Sequence, residues 1–316
     1  MENIEKENIY DLIIIGAGPA GLAASIYASR YSIPHIIIGN VIGGQISETH
    51  KIDNYPGIEN MNGMEFSQKL VKHTQKYGVK ILPVLVKSIE SSSKNSFFEL
   101  NLENKNILKA KTILLATGAK KRELNISSKD KFIGRGVSYC ATCDGFFYKD
   151  KVVGVIGGSD SAAGAVLYLA NIAQKVYLIY RKDHLRCEPY WLNLVKKNTK
   201  IEVIYNTNVI EFKGEENLQA VVLDKPYQNK KELKLDGIFI EIGSMPDFDY
   251  AQNLKLKTDE GGYIEIKKDG ATSFEGVWAA GDITNGSDKF RQVITAAAEG
   301  AIAVRSIYNW LEKNKK

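Results

Sequence analysis

Tyr10-Asp11-Leu12-Ile13-Ile14-Ile15-Gly16-Ala17-Gly18-Pro19-Ala20-Gly21 decides the fold of this chain. The apolar run from Tyr10 to Ile15 predicts a buried parallel strand. It passes straight into G-x-G-x-x-G and an alanine-rich stretch that predicts a helix to about Arg30. Ile33 to Ile38 predicts the next strand, which completes a βαβ unit. In that setting each glycine has its own task. Gly16 permits the tight turn, Gly18 lets a pyrophosphate approach backbone N–H groups, and Gly21 allows close helix–strand packing. The helix N-terminus then faces the anion. The plainer alternative is a turn that binds nothing, and the strand before it and the helix after it argue against that. The acid expected about 20 residues on is missing. Ile36-Ile37-Ile38-Gly39-Asn40 offers no carboxylate, which leaves Asn40 or backbone groups such as those of Gly39 to meet a ribose.

The same arrangement recurs. Val152 to Ile156 predicts a strand, Gly157-Gly158-Ser159-Asp160-Ser161-Ala162 a turn, Ala163 to Ala173 a helix and Val176 to Tyr180 a second strand. Ser159 takes the place of the second glycine and adds a Cβ, but its hydroxyl can bond a phosphate. Tyr180-Arg181-Lys182-Asp183-His184-Leu185-Arg186 follows the second strand. Three cations there, where a site for NAD carries an acid, suit the 2′-phosphate of NADP. The alternative is a solvated basic loop.

Between the two units, Val79 to Glu90, Phe97 to Leu102 and Asn106 to Lys109 predict antiparallel strands. Ile113-Leu114-Leu115-Ala116-Thr117-Gly118 predicts a buried strand ending in a turn, a pattern repeated at Gly276–Asp282, and a helix from about Gln292 to Trp310 closes the chain. The expected fold is α/β, with two Rossmann-like dinucleotide-binding (βαβ, three-layer ββα) domains. The second, 119–245, is inserted into a discontinuous first domain of 1–118 and 246–316. The length of 316 residues suits two domains.

Composition narrows the function. With 44% hydrophobic and 25% charged residues the chain has the make-up of a globular protein, and a net charge of +5 on scattered lysines argues against nucleic-acid binding. Lys313-Asn314-Lys315-Lys316 fits a solvated helix end. Met1–Glu7 is too polar and acidic for a secretory leader, and no apolar run suits a membrane span, so a cytoplasmic protein is expected.

Two of the three cysteines form Cys140-Ala141-Thr142-Cys143, followed at once by Asp144 and Gly145. Half a zinc site is one reading. Zinc needs four ligands, however, and there is no second CxxC, while His35, His50, His73 and His184 are dispersed. No metal site is expected. The favoured reading is a redox pair, in which one thiolate attacks a partner disulfide and the other thiol resolves the mixed disulfide. Asp144 can exchange a proton with the departing thiolate, or can simply cap a turn before Gly145. Cys187, beside Arg186 and Glu188, fits a buried filler.

With these residues in place, the chain resembles the low-molecular-weight thioredoxin reductases over nearly its whole length. The resemblance rests on Gly16–Gly21, Gly43-Gly44-Gln45, Asn54-Tyr55-Pro56-Gly57, Ala116-Thr117-Gly118, Cys140–Gly145, Gly281-Asp282 and Arg291-Gln292-Val293. It implies FAD in the first domain, with Gln45 and Asn54 near the flavin, the Val86 backbone near the adenine and Gly281-Asp282 along the ribityl–phosphate stretch. Arg291-Gln292-Val293 would line the isoalloxazine. It further implies that Cys143 faces the flavin and receives electrons, that Cys140 attacks thioredoxin, and that Asp144 is the acid/base. NADPH would lie at Gly157, Gly158, Ser159, Asp160 and Ser161 with Arg181, Lys182 and Arg186. The resemblance also implies a small domain that rotates relative to the FAD domain, and a homodimer. The chain departs from the family at Ser159, at Lys182 in place of a second arginine, and at Gly164 and Ala165 where glutamates are frequent. These departures bear on the donor, for which NADH and reduced ferredoxin are the rivals. Other readings of the same dithiol are an NAD(P)H oxidase or peroxide-reducing system with another protein partner, and a flavin-binding redox sensor.

Overall fold

The computed structural model describes residues 9–49, 51–91 and 97–315. The Met1–Glu7 segment, His50 and Lys316 discussed above lie outside the described residues. In chain order, β1 (Ile9–Ile15), α1 (Pro19–Arg30), β2 (His35–Ile38), α2 (Gly63–Gln75), β3 (Ile81–Leu82), β4 (Val86–Ser91), β5 (Phe98–Leu102) and β6 (Ile107–Leu115) come first. β7 (Ala119–Lys121), α3 (Lys129–Phe132), β8 (Val137–Ser138), α4 (Ala141–Asp144), β9 (Val152–Gly157), α5 (Asp160–Ala170) and β10 (Lys175–Ile179) follow. Then come α6 (Pro189–Lys197), β11 (Ile201–Ile204), β12 (Val209–Lys213), β13 (Ala220–Tyr227), β14 (Lys230–Lys234) and β15 (Gly237–Glu241). β16 (Ser244–Pro246), β17 (Val277–Ala279) and α7 (Val293–Lys313) end the series.

The chain divides into two compact units. One comprises the described residues up to Lys120 and from Met245 onward, and the other is Lys121–Ser244. In the first, β1 lies between β2 and β6 with all three parallel, β3 extends the sheet beyond β2, and β17 joins β6 in parallel. β5 and β4 continue from β6 as antiparallel strands. β1 reads as an apolar run because both its faces are buried. Ile13 and Ile15 belong to one core cluster, Leu12 and Ile14 to another. On the second of these faces α7 packs against α1 so closely that a Cβ at Gly300 would lie 2.2 Å from the Ala20 carbonyl oxygen.

The second unit is built the same way. Its sheet runs β11-β10-β9-β15-β8, all parallel, beside an antiparallel meander of β12, β13 and β14. It has two buried clusters of its own, one centred on α5 with Val155 and Leu178, the other joining Ile156 and Ile238 to Val221 and Leu223 of the meander.

Three elements differ from the sequence expectation. Val79 to Glu90 is not one antiparallel strand. Ile81–Leu82 pairs in parallel with β2, and an antiparallel strand begins only at Val86. Pro83, which has no N–H to give to a ladder, separates the two. Asn106–Lys109 and Ile113 onward form the single strand β6. One edge of it is occupied by β1, the other by β5 along Ile107–Ala110 and by β17 along Ile113–Leu115. The α5 helix starts at Asp160 rather than Ala163, because Ser159 already stands in the extended N-cap position and Asp160 supplies an acid to the first turn.

Candidate functional site

In the first unit the glycine turn forms as its sequence requires. Gly16 has φ +117°, and a Cβ there would meet the Ala116 carbonyl oxygen at 2.1 Å. Any other residue is excluded by both conformation and space. Gly18 is the extended N-cap of α1, with Pro19 opening the helix. The remaining candidate segments gather around this turn at the carboxyl ends of the parallel strands, where open α/β sheets bind ligands. The Gly16 N–H donates to Ile38 O at 2.7 Å and the Gly43 N–H to Ala17 O at 2.8 Å. A Cβ on Gly44 would lie 2.8 Å from the Gly18 Cα, and one on Gly39 2.9 Å from the Ala17 nitrogen. Gln45 donates from Nε2 to the Ala119 carbonyl. Asn40 stands just past β2 beside Gly39.

The last helix brings its own residues to the same place. Gln292 is the N-cap of α7, where Gln292 and Thr295 form a reciprocal capping box. Its Oε1 also accepts an N–H from Asn54 at 3.0 Å. Gly281 follows β17, and a Cβ there would press on the Ala20 side chain at 3.0 Å. Burial pushes the Asp282 carboxyl above its usual range. The positive charge of Arg291 opposes that shift and Glu299 adds to it. The Arg291 guanidinium stacks over the Tyr263 ring at 3.9 Å, while its Nε and Nη2 are buried without a hydrogen-bond partner. Thr117 donates to Asp247 O at 2.7 Å and pairs with the Tyr250 hydroxyl at 3.0 Å, and burial pushes that phenol strongly upward. Val86 shares the core cluster of Ile15 and Ile38, and it follows Leu82, which pairs with Ile38 at the carboxyl end of β2, by four residues.

One residue here escaped sequence reasoning. Glu299, on α7, accepts the Gly281 N–H at 2.8 Å and the Thr284 hydroxyl at 3.0 Å through Oε2, and the Ser287 hydroxyl at 2.6 Å through Oε1. It fastens the Gly281–Ser287 turn to the helix that carries Gln292. No local motif signals it, because its partners lie on another element.

The second unit holds the dithiol. Cys140 and Cys143 are joined in a disulfide with their Cα atoms 5.3 Å apart. Cys140 N-caps the single-turn α4, and its Sγ accepts the Cys143 N–H at 3.1 Å. Ser138, at the end of β8, grips the first cysteine at both main-chain groups. Its Oγ accepts the Cys140 N–H at 3.0 Å and donates to the Cys140 carbonyl at 3.3 Å. Asp144 ends the turn, with its N–H on Cys140 O at 3.2 Å, and Gly145 lies against Tyr168 and Leu169 of α5. No local motif signals Ser138's role. Cys187 is only partly buried, against the α5 cluster, and burial followed by the charge of Asp160 raises its thiol pKa.

At the second glycine turn, Ser159 has φ −98° and ψ −177°, nearly the geometry of Gly18 at φ −87° and ψ −173°. This position needs no glycine conformation, so the serine leaves the strand–turn–helix intact. Its hydroxyl pairs with that of Ser161 at 3.0 Å. Gly157 and Gly158 precede it at the end of β9, and Asp160 accepts the Glu188 N–H at 2.7 Å. Arg181, Lys182 and Arg186 are exposed just beyond β10, and the Arg186 N–H reaches this turn at the Gly158 carbonyl. Among the described residues no group of His, Cys, Asp and Glu could hold a metal ion.

Comparisons with known proteins agree with this geometry. Residues 10–300 match the pyridine nucleotide-disulphide oxidoreductase family. The chain is similar to the thioredoxin reductase of Bacillus subtilis, at 36% identity over 98% of this chain and 97% of that one. Among solved structures it resembles Lactococcus lactis thioredoxin reductase, with a TM-score of 0.91 and 34% identity over 96% of this chain and 99% of that one. It also resembles T. acidophilum thioredoxin reductase, with a TM-score of 0.90 and 31% identity over 97% of this chain and 100% of that one.

Proposed function

The chain belongs to the pyridine nucleotide-disulphide oxidoreductase family, and on that premise we propose that it works as a thioredoxin reductase. Electrons would pass from NADPH through FAD to the Cys140–Cys143 disulfide and on to the disulfide of a thioredoxin-like protein. The family uses a flavin and a nicotinamide nucleotide, and the choice of FAD and NADPH is part of this proposal. The observation that carries the reading is a closed two-residue dithiol ring in a chain with two separate glycine turns, each leading from a parallel strand into a helix.

FAD is assigned to the first unit, whose residues suit it. Gly16 and Gly18 leave a backbone cradle free of side chains, the α1 N-terminus carries free N–H groups for a pyrophosphate, and Arg291 offers two buried N–H-bearing nitrogens with no protein partner. Gly39, Asn40, Gly43, Gly44, Gln45, Asn54, Val86, Ala116–Gly118, Gly281, Asp282, Gln292 and Val293 complete the assignment. The bound flavin would supply the two-electron relay between nicotinamide and disulfide. NADPH is assigned to Gly157–Ser161 with Arg181, Lys182 and Arg186.

The chain's own groups do the thiol chemistry. Once the pair is reduced, the Cys140 thiolate attacks one sulfur of the partner disulfide and the other sulfur leaves as a thiolate. Cys143 then attacks the mixed disulfide at Cys140, which re-forms the Cys140–Cys143 bond and releases the partner as a dithiol. Two electrons and two protons leave with it. Asp144 is assigned the proton exchange at this step. The hydrogen bond from the Cys143 N–H to Cys140 Sγ favours negative charge on that sulfur. A homodimer in the cytoplasm completes the reading. Among the described residues no helix is long and apolar enough to cross a membrane.

Anaerobic stopped-flow reduction with NADPH, NADH and reduced ferredoxin side by side tests the donor. NADPH is expected to bleach the flavin band fastest, and bleaching by ferredoxin but not NADPH would refute that assignment. In a thioredoxin-coupled assay Cys140→Ser is expected to abolish turnover, and surviving turnover would sink the dithiol mechanism.

A further inference from the structure

Of the three cations after β10, Arg186 is the one whose main chain and side chain are both tied into the fold. Its N–H donates to the Gly158 carbonyl at 2.7 Å. Its Nε–H donates to the Tyr180 hydroxyl at 2.9 Å. Tyr180 in turn cannot move. Its N–H donates to Ile204 O and its carbonyl accepts the Thr207 N–H, and the residue is 5% exposed. Its ring fills the space over Gly158 so fully that a Cβ on that glycine would lie 2.4 Å from ring carbons. The loop's far end is pinned as well, by the Glu188 N–H on the Asp160 carboxylate. With Nε engaged, the guanidinium keeps both Nη groups, four N–H donors, for an anion beside the glycine turn. An arginine held in this way loses little side-chain entropy on binding.

We propose that Tyr180 is a positioning residue that pre-sets the Arg186 guanidinium for the 2′-phosphate of the nucleotide, and so sets the preference for NADPH over NADH. This rests on the assignment of the Arg181–Arg186 loop to NADPH. Tyr180→Phe is the informative variant, because it keeps the ring over Gly158 and deletes only the oxygen that Arg186 bonds. The holoenzyme of wild type, Tyr180→Phe, Arg186→Ala and the double variant would be assayed with NADPH and with NADH. Tyr180→Phe is expected to raise KM for NADPH by about tenfold, the usual scale for a hydrogen bond to a charged group, with kcat and KM for NADH unchanged. In the Arg186→Ala background Tyr180→Phe is expected to change nothing further, since the tyrosine acts only through that arginine. An NADPH-to-NADH ratio lowered by Arg186→Ala but unmoved by Tyr180→Phe would overturn the role of Tyr180 and leave the NADPH site standing. A ratio unmoved by Arg186→Ala would overturn both.

Discussion

His35 is held neutral by the groups around it. Its Nδ1 bonds the Ile33 carbonyl at 2.8 Å and must carry the proton, so Nε2 accepts from the Ser25 hydroxyl at 2.7 Å. A second proton on Nε2 would turn the Ser25 hydroxyl into an acceptor and place a positive charge in a largely enclosed site. Burial accordingly lowers the His35 pKa, only partly offset by the bond to Ile33. A histidine whose folded pKa lies below its unfolded value of 6.5 gives stability that is full above that value and is lost as pH falls through the folded pKa. Urea midpoints are therefore expected to fall as pH drops from 7.5 toward 5, and His35→Gln is expected to flatten part of that slope. An unchanged slope in the variant would assign the acid sensitivity to other groups. Asp282 is the opposite case. Its burial favours the protonated acid, so its contribution is full below about 3.8 and is lost as pH rises through the raised folded pKa. Its surroundings disfavour the ionised form, and the positive charge of Arg291 partly offsets that. That is the kind of local cost that collects at binding sites.

At the scale of elements, two helical glycines make a controlled comparison. Gly300 in α7 faces the Ala20 carbonyl, which a Cβ would approach to 2.2 Å, whereas a Cβ at Gly164 in α5 has nothing within 4 Å. Alanine is the better helix former by about 1 kcal/mol. At Gly164 that gain stands alone, and Gly164→Ala is expected to stabilise by roughly 0.5–1 kcal/mol. At Gly300 a backbone carbonyl cannot give way, so overpacking of about 1–3 kcal/mol outweighs the propensity and Gly300→Ala is expected to destabilise. Denaturant midpoints of the two variants measure both signs, and a stabilised Gly300→Ala would mean that α1 and α7 are free to separate. The same elements explain what the sequence could reveal. β1, β9 and their glycine turns were legible because strand, turn and helix signals sit side by side in the chain, and Cys140–Asp144 carries its chemistry within five consecutive residues. The division of Val79–Glu90 was missed because Ile81–Leu82 pairs with β2, a choice made by a distant strand rather than by the residues themselves. Ser138, Tyr180 and Glu299 were missed for a related reason. Their hydroxyls and carboxylate matter through the particular groups they reach, and those groups are set by the fold.

At the scale of the molecule, the chain leaves its first unit after Lys120 and returns at Met245, and each unit contains two buried clusters of its own. The inserted unit owns a five-stranded parallel sheet, a three-stranded meander and a helical layer. Its cores bury such side chains as Phe132, Phe212, Phe239, Leu178 and Ile238 at 3% exposure or less. At roughly 1.5–3 kcal/mol for each large apolar side chain removed from water, that interior suffices for a domain of this size. The elements that place the dithiol also lie within it, since Ser138 stands on β8 and α4 packs on α5. Residues 121–244 expressed alone are therefore expected to fold cooperatively, with a single urea transition, and to form the Cys140–Cys143 disulfide. The nucleotide assignment adds a second readout, in which the fragment binds NADP⁺ more tightly than NAD⁺ by calorimetry although it carries no flavin. A fragment that unfolds without a cooperative transition would mean that its sheet needs the rest of the chain. A folded fragment with no preference between the two nucleotides would separate the fold from the function, and would place the choice of donor outside Gly157–Arg186.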